Sequence, residues 1–295
     1  MIDTLLDEQS ILGLGIGLAL NNLLPITEIQ FLAYLHNAED QLRGEAATLS
    51  FFSSRQYANP MIVRIAGLGY QRGFGGHFHN DNSIAVLRDV PGIVIACPSN
   101  GRDAVAMMRE CVRLALQEQR VVVFVEPIAL YMTRDLHVPG DKGWTSVYEA
   151  PDEGSAVALG DVHTEGEGTD LAIVTYGNGY YLSRQAQKLL SEQHGVAVRV
   201  IDMRWLAPLP EAALLAAVAG CRRVLIVDEC RRTGSQSESL MAMFAERRPD
   251  LHTARVTAED SFIPIGQAST LTLPSRESII SGALECVASR WSAQG

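Results

Sequence analysis

Short runs of Val, Ile and Leu alternate with helical patterns through the second half of the chain, and this alternation is what most constrains the fold. The apolar runs are Asp170–Gly177, Val196–Met203 and Arg222–Glu229. Uninterrupted apolar strands separated by helices are typical of a parallel sheet that is covered on both faces. Because such β-α-β units join through right-handed crossovers, the sequence predicts a compact doubly wound α/β domain over residues 169–295.

The first half has the same α/β character with a less regular pattern. Its predicted strands are Pro25–Gln30, Met61–Ala66, Gly92–Cys97 and Val121–Glu126. Phe31–Leu49 is predicted to form one long helix, and Arg102–Gln117 an amphipathic one. Residues 141–168 are rich in Gly, Asp and Glu and hold few apolar runs, which is typical of a domain linker. We therefore expect a first domain over 1–140, followed by this linker and the second domain, 169–295.

The balance of charge excludes one broad class of function. Lys and Arg total 24 and Asp and Glu total 34, which gives a net charge of −10 over 295 residues. An acidic surface repels phosphate backbones, so nucleic-acid binding is not expected. No apolar run approaches the ~18 residues that span a bilayer, and acids stand near the N-terminus, unlike in a secretory or transit signal. These features favour a cytoplasmic protein without a membrane partner.

The five cysteines are scattered through the chain and form no C-x-x-C pair. An odd number without paired spacing argues against a disulfide framework and against a zinc ribbon. We expect all of them to be small buried apolar side chains in a reducing compartment.

A glycine-rich segment, GLGIGLAL at Gly13–Leu20, superficially resembles a dinucleotide-binding loop. That loop follows a strand and spaces its glycines as G-x-G-x-x-G, whereas here no predicted strand precedes and the spacing is G-x-G-x-G. Close packing of a helix against a neighbour is the better explanation. The sequence also contains no phosphate-binding G-x-x-x-x-G-K-[ST] and no nucleophile elbow G-x-S-x-G.

The segment Gly69–Ser83 (GYQRGFGGHFHNDNS) carries the densest chemistry in the chain. Its glycines let the backbone approach a ligand closely, and His77, His79 and Asp81 follow them. An H-x-H pair with an acid could ligate a metal, but the other histidines are isolated in sequence, so no metal site is predicted. A histidine in a glycine-rich loop after a strand is better placed to transfer a proton or to bind a substrate carboxylate. A surface turn histidine without a function is the alternative.

Eight segments, taken in order, resemble one known family. They are Glu28–Tyr34, Asp40–Leu49, Gly75–Asn80, Pro91–Ala104, Val125–Tyr131, Thr175–Gly177, Val200–Leu209 and Asp228–Gly234. Together they are similar to the beta subunit of thiamine-diphosphate-dependent 2-oxoacid dehydrogenases, the decarboxylating first component of pyruvate and branched-chain 2-oxoacid dehydrogenase complexes. The resemblance runs from about Asp3 to about Ser289. It implies an incomplete pyrimidine-binding domain followed by a transketolase C-terminal-like domain.

The resemblance implies roles for four residues. In the family, an aromatic residue six positions after the Glu of the EIQF segment stacks on the aminopyrimidine ring of the cofactor, and Tyr34 occupies that place. Gln30 and Glu28 would lie in the same pocket wall and contact the cofactor. The family's active-site histidine matches His79, which would hydrogen-bond the 2-oxo acid or the incoming lipoyl group. A monovalent cation such as K⁺ is implied at backbone carbonyls near Leu114–Val123.

The resemblance also implies partners, because parts of the family's cofactor site are not found in this sequence. In the family the diphosphate and its Mg²⁺ are held by a G-D-G motif of an alpha subunit or domain, and no G-D-G occurs here. The resemblance also implies an activating glutamate in a G-E-D-V-like motif upstream of the region that matches Asp3–Glu8. No G-E-[DE]-V string occurs in this sequence, and Glu8 and Glu28 stand outside such a context. The expectation is an N-terminally truncated beta subunit, or the back portion of a fused alpha–beta polypeptide, that dimerises and is inactive alone. Its further partner would be the lipoyl acyltransferase component.

Two alternatives stay open. Another thiamine-diphosphate enzyme, of the transketolase or deoxyxylulose-phosphate synthase type, would bind sugar phosphates through basic residues. The scarcity of lysine, with Lys142 and Lys188 alone in the sequence, disfavours it. A non-catalytic assembly module of the same fold is the second alternative. The sequence does not distinguish pyruvate, a branched-chain 2-oxo acid and acetoin as substrates.

Overall fold

The structure, a computed structural model, describes residues 1–70, 76–151, 154 and 156–289. Within these ranges the chain builds two five-stranded sheets. The strands are β1 (Ile26–Ile29), β2 (Met61–Gly67), β3 (Val94–Ala96), β4 (Val121–Pro127), β5 (His163–Glu165), β6 (Leu171–Thr175), β7 (Val198–Asp202), β8 (Trp205–Ala207), β9 (Arg223–Arg231) and β10 (His252–Ala258). The α-helices are α1 (Glu8–Leu20), α2 (Leu32–Leu35), α3 (Leu49–Phe52), α4 (Ala85–Arg88), α5 (Gly101–Glu118), α6 (Gly177–His194), α7 (Glu211–Ala217), α8 (Gln236–Arg247) and α9 (Arg276–Ala288).

Each half of the chain contributes most of one sheet. The strand order is β1-β2-β4-β3-β8 in the first sheet and β10-β9-β6-β7-β5 in the second. Four neighbouring strands in each sheet are parallel, whereas β8 and β5 add antiparallel edges. The α/β fold class predicted from the alternating apolar runs is therefore confirmed.

Burial explains why the apolar runs form central strands. Every residue of β6 is buried, and in β4 Glu126 alone is not fully buried. Helices α5 and α6 pack against the sheets, and Asn100 caps α5 by accepting a hydrogen bond from the Asp103 N–H at 2.9 Å. All five cysteines are buried and free, as predicted. No helix in the described ranges is long and apolar enough to cross a membrane.

One predicted element has a different form. Phe31–Leu49 is not a single α-helix, because α2 is followed by a 3₁₀ turn at His36–Ala38 and a π-helical segment at Gln41–Ala46. The buried positions still recur every three or four residues. The 3₁₀ turn is wound slightly more tightly than an α-helix and the π-helical segment slightly more loosely, so apolar residues recur at nearly the same spacing in all three. The sequence pattern therefore predicts the helical path but not its local winding.

Helix α1 shows the predicted close packing at one of its glycines. A Cβ at Gly15 would lie 2.7 Å from Thr27 Cγ2, so the helix approaches β1 more closely than any other residue would allow. A Cβ added at Gly13 or at Gly17 would instead lie in open space among the described residues. Close packing is thus confirmed for Gly15 and not for its two neighbours in the motif.

Two short strands lie outside the predicted elements, and one of them joins the halves. Strand β5 lies inside the predicted linker and pairs with β7, while β8 leaves the second half to pair with β3. Arg204, just before β8, donates to both oxygens of Asp103 at 2.9 and 2.8 Å. The Gly177 N–H donates to Ser99 Oγ at 2.8 Å. The two sheets are therefore joined by backbone pairing and by buried polar contacts.

Candidate active site

The carboxyl ends of β1 and β2 bring together two of the residues singled out in the sequence. Tyr34 lies on α2, shortly after β1, and His79 lies in the segment after β2. The two strands are parallel neighbours, with Ile29 paired to Ile65, so the segments that follow them leave the sheet at the same edge. Ligands of open α/β sheets bind outside this edge.

Three rings meet here, and we call Phe31, Tyr34 and His79 the aromatic cluster. The Phe31 and His79 rings meet edge to face with centroids 4.6 Å apart, and the Tyr34 ring lies 5.8 Å from Phe31 and 5.9 Å from His79. All three side chains are half-buried. Such rings present an apolar surface on which a flat heterocycle can stack. Sequence reasoning missed Phe31, although it stands directly beside Gln30 in the EIQF segment.

Hydrogen bonds set the tautomer of His79. Its Nδ1 accepts from the Gly76 N–H at 3.3 Å, so the proton of the neutral ring lies on Nε2. Nε2 lies 3.3 Å from the Tyr34 hydroxyl oxygen and donates to it. The tyrosine hydroxyl can then donate its own proton to an acceptor such as a substrate oxygen. The pair therefore presents a hydroxyl donor that an imidazole supports.

The glycine-rich loop predicted before His79 lies mostly outside the described residues, since 71–75 are not among them. The described part forms a tight turn. The His79 N–H and the Asn80 side-chain amide both donate to the Gly76 carbonyl, each at 3.0 Å. This turn holds the His79 ring close to its own backbone and limits the positions that it can adopt.

The other candidates from the sequence have different surroundings. His77 is exposed, and its ring stacks on Phe78 with centroids 3.9 Å apart. Gln30 is exposed at the end of β1. Glu28 has a side chain that is 66% exposed and accepts a hydrogen bond from Arg64 Nη1 at 3.2 Å. Glu28 is thus engaged with a residue of β2 rather than presented alone to a ligand.

Arg64 links three strands at this edge of the sheet. Besides Glu28, its guanidinium donates to both oxygens of Glu126, at 2.7 and 3.2 Å, and the Tyr131 hydroxyl donates to Glu126 at 2.6 Å. The hydrogen bond to Glu126 raises the pKa of Arg64. Burial, reinforced by Glu126, raises the pKa of Tyr131. Because carboxylates of this chain already neutralise the guanidinium, Arg64 is poorly suited to hold a phosphate.

A buried carboxylate at the start of α1 belongs to the same region. Glu8 is 9% exposed, and Asn37 Nδ2 donates to its Oε2 at 3.0 Å. Asn37 follows Tyr34 by three residues, so Glu8 lies against the segment that carries Phe31 and Tyr34. Asp7 caps the helix by accepting from the Ser10 N–H at 3.1 Å, which orders the first turn. The sequence analysis did not select Glu8, because it stands outside the expected motif. The sequence did not show that Glu8 is buried.

Comparison with known families matches both halves of the chain. Residues 1–133 match the transketolase pyrimidine binding domain, and residues 160–279 match the transketolase C-terminal domain. The pyruvate dehydrogenase E1 component subunit beta of Staphylococcus epidermidis is 30% identical over 289 residues, covering 95% of this chain and 81% of the relative. The chain belongs to the pyruvate dehydrogenase E1 beta subunit family.

Further relatives agree with this assignment. The E1 beta subunit of Bacillus subtilis (strain 168) is 28% identical, over 95% of this chain and 81% of its own. That of Staphylococcus aureus (strain Mu50) is 29% identical, over 97% of this chain and 83% of its own. A solved structure described as a split gene transketolase, inactive beta4 tetramer, shares the fold with a TM-score of 0.71 at 18% identity, over 95% of this chain and 81% of that one. The family resemblance and the two transketolase-type domains inferred from the sequence are confirmed.

The transketolase-like E1 beta family depends on thiamine diphosphate, and the described residues can be tested for their fit to it. The aromatic cluster offers ring surface for an aminopyrimidine, and Glu8 supplies a carboxylate beside the segment that carries Tyr34. These residues fit the aminopyrimidine end of the cofactor. Among the described residues, no group of three or more His, Cys, Asp or Glu side chains could hold a metal ion.

Proposed function

We propose that this chain is the beta part of a 2-oxoacid dehydrogenase that decarboxylates pyruvate or a branched-chain 2-oxo acid and passes the acyl group to a lipoyl group. The aromatic cluster at the carboxyl ends of β1 and β2 carries the proposal, in a chain of the E1 beta family. When bound, thiamine diphosphate supplies the electron sink that a 2-oxo acid needs to release CO₂. The chain's own share is to orient rings and to place polar groups.

Each member of the aromatic cluster has a defined task in this proposal. Phe31 and Tyr34 support the aminopyrimidine ring and restrict its tilt. His79 hydrogen-bonds the 2-oxo acid or the lipoyl group, directly or through the Tyr34 hydroxyl that it supports. Gln30 and Glu28 stay proposed residues of the pocket wall, because they end the strand that leads into the cluster.

We assign the role of the activating carboxylate to Glu8. A carboxyl group exchanges a proton with the aminopyrimidine only from within hydrogen-bond reach. Glu8 is a buried acid that contacts the segment carrying Tyr34. The Asn37 amide holds Oε2, so Oε1 is the oxygen that would meet the ring. With this assignment the role does not need the G-E-[DE]-V string that the resemblance implies.

The remaining parts of the site are proposed to come from partners. The relatives are named as beta subunits of an E1 component, which implies an alpha subunit. We assign to it the diphosphate and the Mg²⁺, which needs near-octahedral oxygen ligands. A lipoyl acyltransferase would receive the acyl group, and a second copy of this chain would complete a dimer.

Three further proposals come from the sequence. A K⁺ site would use backbone carbonyls near Leu114–Val123. The domain boundaries would fall at 1–140, 141–168 and 169–295, with β8 reaching back from the second domain to the first sheet. The chain would act in the cytoplasm.

Replacement of His79 tests the proposed function. In the enzyme assembled with its alpha subunit, His79→Ala should lower kcat by about 10²-fold, because it removes the imidazole that supports the Tyr34 hydroxyl. His77→Ala is the matched control, since His77 is exposed two residues away, and its effect should be small. Turnover is measured with pyruvate and with a branched-chain 2-oxo acid. Wild-type turnover of the His79 variant would contradict the proposal.

A further inference from the structure

Asp81 follows His79 by two residues and lies where three segments of the chain meet. Its side chain is only 11% exposed. Its backbone carbonyl accepts from the Leu68 N–H at 3.0 Å, directly after β2. The segment that carries His79 is thereby returned to the end of the strand from which it left.

One carboxylate oxygen of Asp81 faces the segment that carries Tyr34. Asp81 Oδ2 lies 3.4 Å from His36 Nε2 and accepts a hydrogen bond from Ser83 Oγ. His36 Nε2 and Ser83 Oγ also lie within hydrogen-bond distance of each other, at 3.0 Å. Because His36 follows Tyr34 by two residues, this contact joins the two segments whose rings meet in the aromatic cluster.

The other oxygen faces the second half of the chain. Asp81 Oδ1 lies 3.3 Å from Arg231 Nη2, at the end of β9. Arg231 Nε donates to the Ser261 carbonyl at 3.2 Å, and its guanidinium lies 5.7 Å from the centre of the Phe262 ring. Arg231 is thus itself held in place, and it offers Asp81 a fixed partner.

Charge favours this bridge. Burial acts to raise the pKa of Asp81, but hydrogen bonds from His36 and Ser83 and the charge of Arg231 outweigh it, so the pKa is lowered. The hydrogen bond to Asp81 raises the pKa of His36, and Glu39, 3.8 Å from His36 Nδ1, acts in the same direction. The Asp81 carboxylate therefore stands between the Arg231 guanidinium and His36, whose protonated form it favours.

We propose that Asp81 is a positioning residue that fixes His79 against Tyr34 by tying the His79 segment to His36 on one side and to Arg231 on the other. The proposal rests on the proposed function, since it assumes that the contact between His79 and Tyr34 matters for turnover. That contact is 3.3 Å long, so a small displacement of the segment breaks it. A displacement that breaks such a contact can lower turnover strongly, even when the residue that causes it lies far from the reacting atoms.

The test is a double-mutant cycle in the enzyme assembled with its alpha subunit. Asp81→Asn removes the charge and keeps the shape, and we expect it to lower kcat about tenfold, less than His79→Ala does, because it displaces the imidazole without removing it. Asp89→Asn is the matched control, because Asp89 is 81% exposed and pairs with Arg43 at 4.0 Å on the surface. In the His79→Ala background, Asp81→Asn should add no further loss, because it acts through His79.

The outcomes separate the two claims. If His79→Ala alone keeps wild-type turnover, the proposed function of His79 fails. If His79→Ala is impaired but Asp81→Asn is not, or if the two losses multiply, only the positioning role is overturned. Should Asp81→Asn not fold, His36→Ala removes one partner of the same bridge at a 40% exposed residue. The cycle of His36→Ala with His79→Ala must then show the same lack of additivity.

Discussion

Replacement of Glu229 by Gln should remove much of the stability that the protein loses as the pH rises from 5.5 to 8. Glu229 lies on β9 and is 2% exposed. Its Oε1 accepts from the Asn178 N–H at 2.9 Å, in the first turn of α6. A Cβ at Gly69 or at Gly177 would lie within 3.0 Å of the carboxylate, so backbone surrounds it closely. This burial raises the pKa of Glu229 from 4.5 to about 8, despite the helix amides that lower it.

The direction of the effect follows from proton uptake. Between pH 4.5 and about 8 the carboxyl group is neutral in the folded protein and ionised in the unfolded chain. Folding therefore binds a proton in this window, and the free energy of unfolding falls as the pH rises. With about 1.4 kcal/mol for each pKa unit, this group lowers stability by about 3 kcal/mol between pH 5.5 and pH 8.

The assay is urea unfolding of the wild type and of Glu229→Gln at pH 5.5, 7 and 8. Gln keeps an oxygen for the Asn178 N–H and carries no charge at any pH, so the loss of stability with pH should shrink by about 2–3 kcal/mol. Burial and the charge of Asp103 raise the pKa of Asp202 to about 7. Asp202 therefore contributes a smaller loss of stability with pH in both proteins. Glu45→Gln, at an exposed position, is the control. Equal pH dependence in the wild type and in Glu229→Gln would refute the reasoning.

Two further predictions concern the proposed site and its assembly. Glu8→Gln should keep the hydrogen bond from Asn37 and the thermal stability of the protein. It should nevertheless lower kcat of the assembled enzyme by about 10²-fold or more, because an amide cannot exchange the proton. Turnover equal to that of the exposed control Glu45→Gln would argue against the role of Glu8. The purified chain should be a dimer at micromolar concentration, and light scattering that gives a mass near 32.1 kDa would contradict this.

The fold was predictable where burial leaves an uninterrupted apolar run. Leu171–Thr175 and Val121–Pro127 stand out because a strand covered on both faces has almost no polar residue. Trp205–Ala207 has only three residues, and its identity as a strand depends on pairing with β3 from the other half of the chain. Such a strand has no local period to detect.

Residues of the candidate site were easier to single out in the sequence than their contacts. Tyr34 and His79 stand in recognisable motifs, but 45 positions separate them, and only the pairing of β1 with β2 brings them together. The contact between Asp81 and Arg231 spans 150 positions and two sheets. Glu8 has an ordinary sequence context, and its burial and its contact with Asn37 on the 3₁₀ turn are properties of the tertiary structure.

The central claim, that this chain carries the aminopyrimidine part of a cofactor site completed by a partner, is tested most directly by calorimetry. Stacking on the aromatic cluster contributes only about 0.5–1.5 kcal/mol, whereas micromolar affinity requires about 8 kcal/mol. Arg64 is neutralised by Glu28 and Glu126 and is not placed to attract the diphosphate. Titration of the purified 295-residue chain with thiamine diphosphate and Mg²⁺ should therefore show no binding tighter than millimolar. A micromolar Kd for the chain alone would mean that the diphosphate site lies within it and would contradict the account.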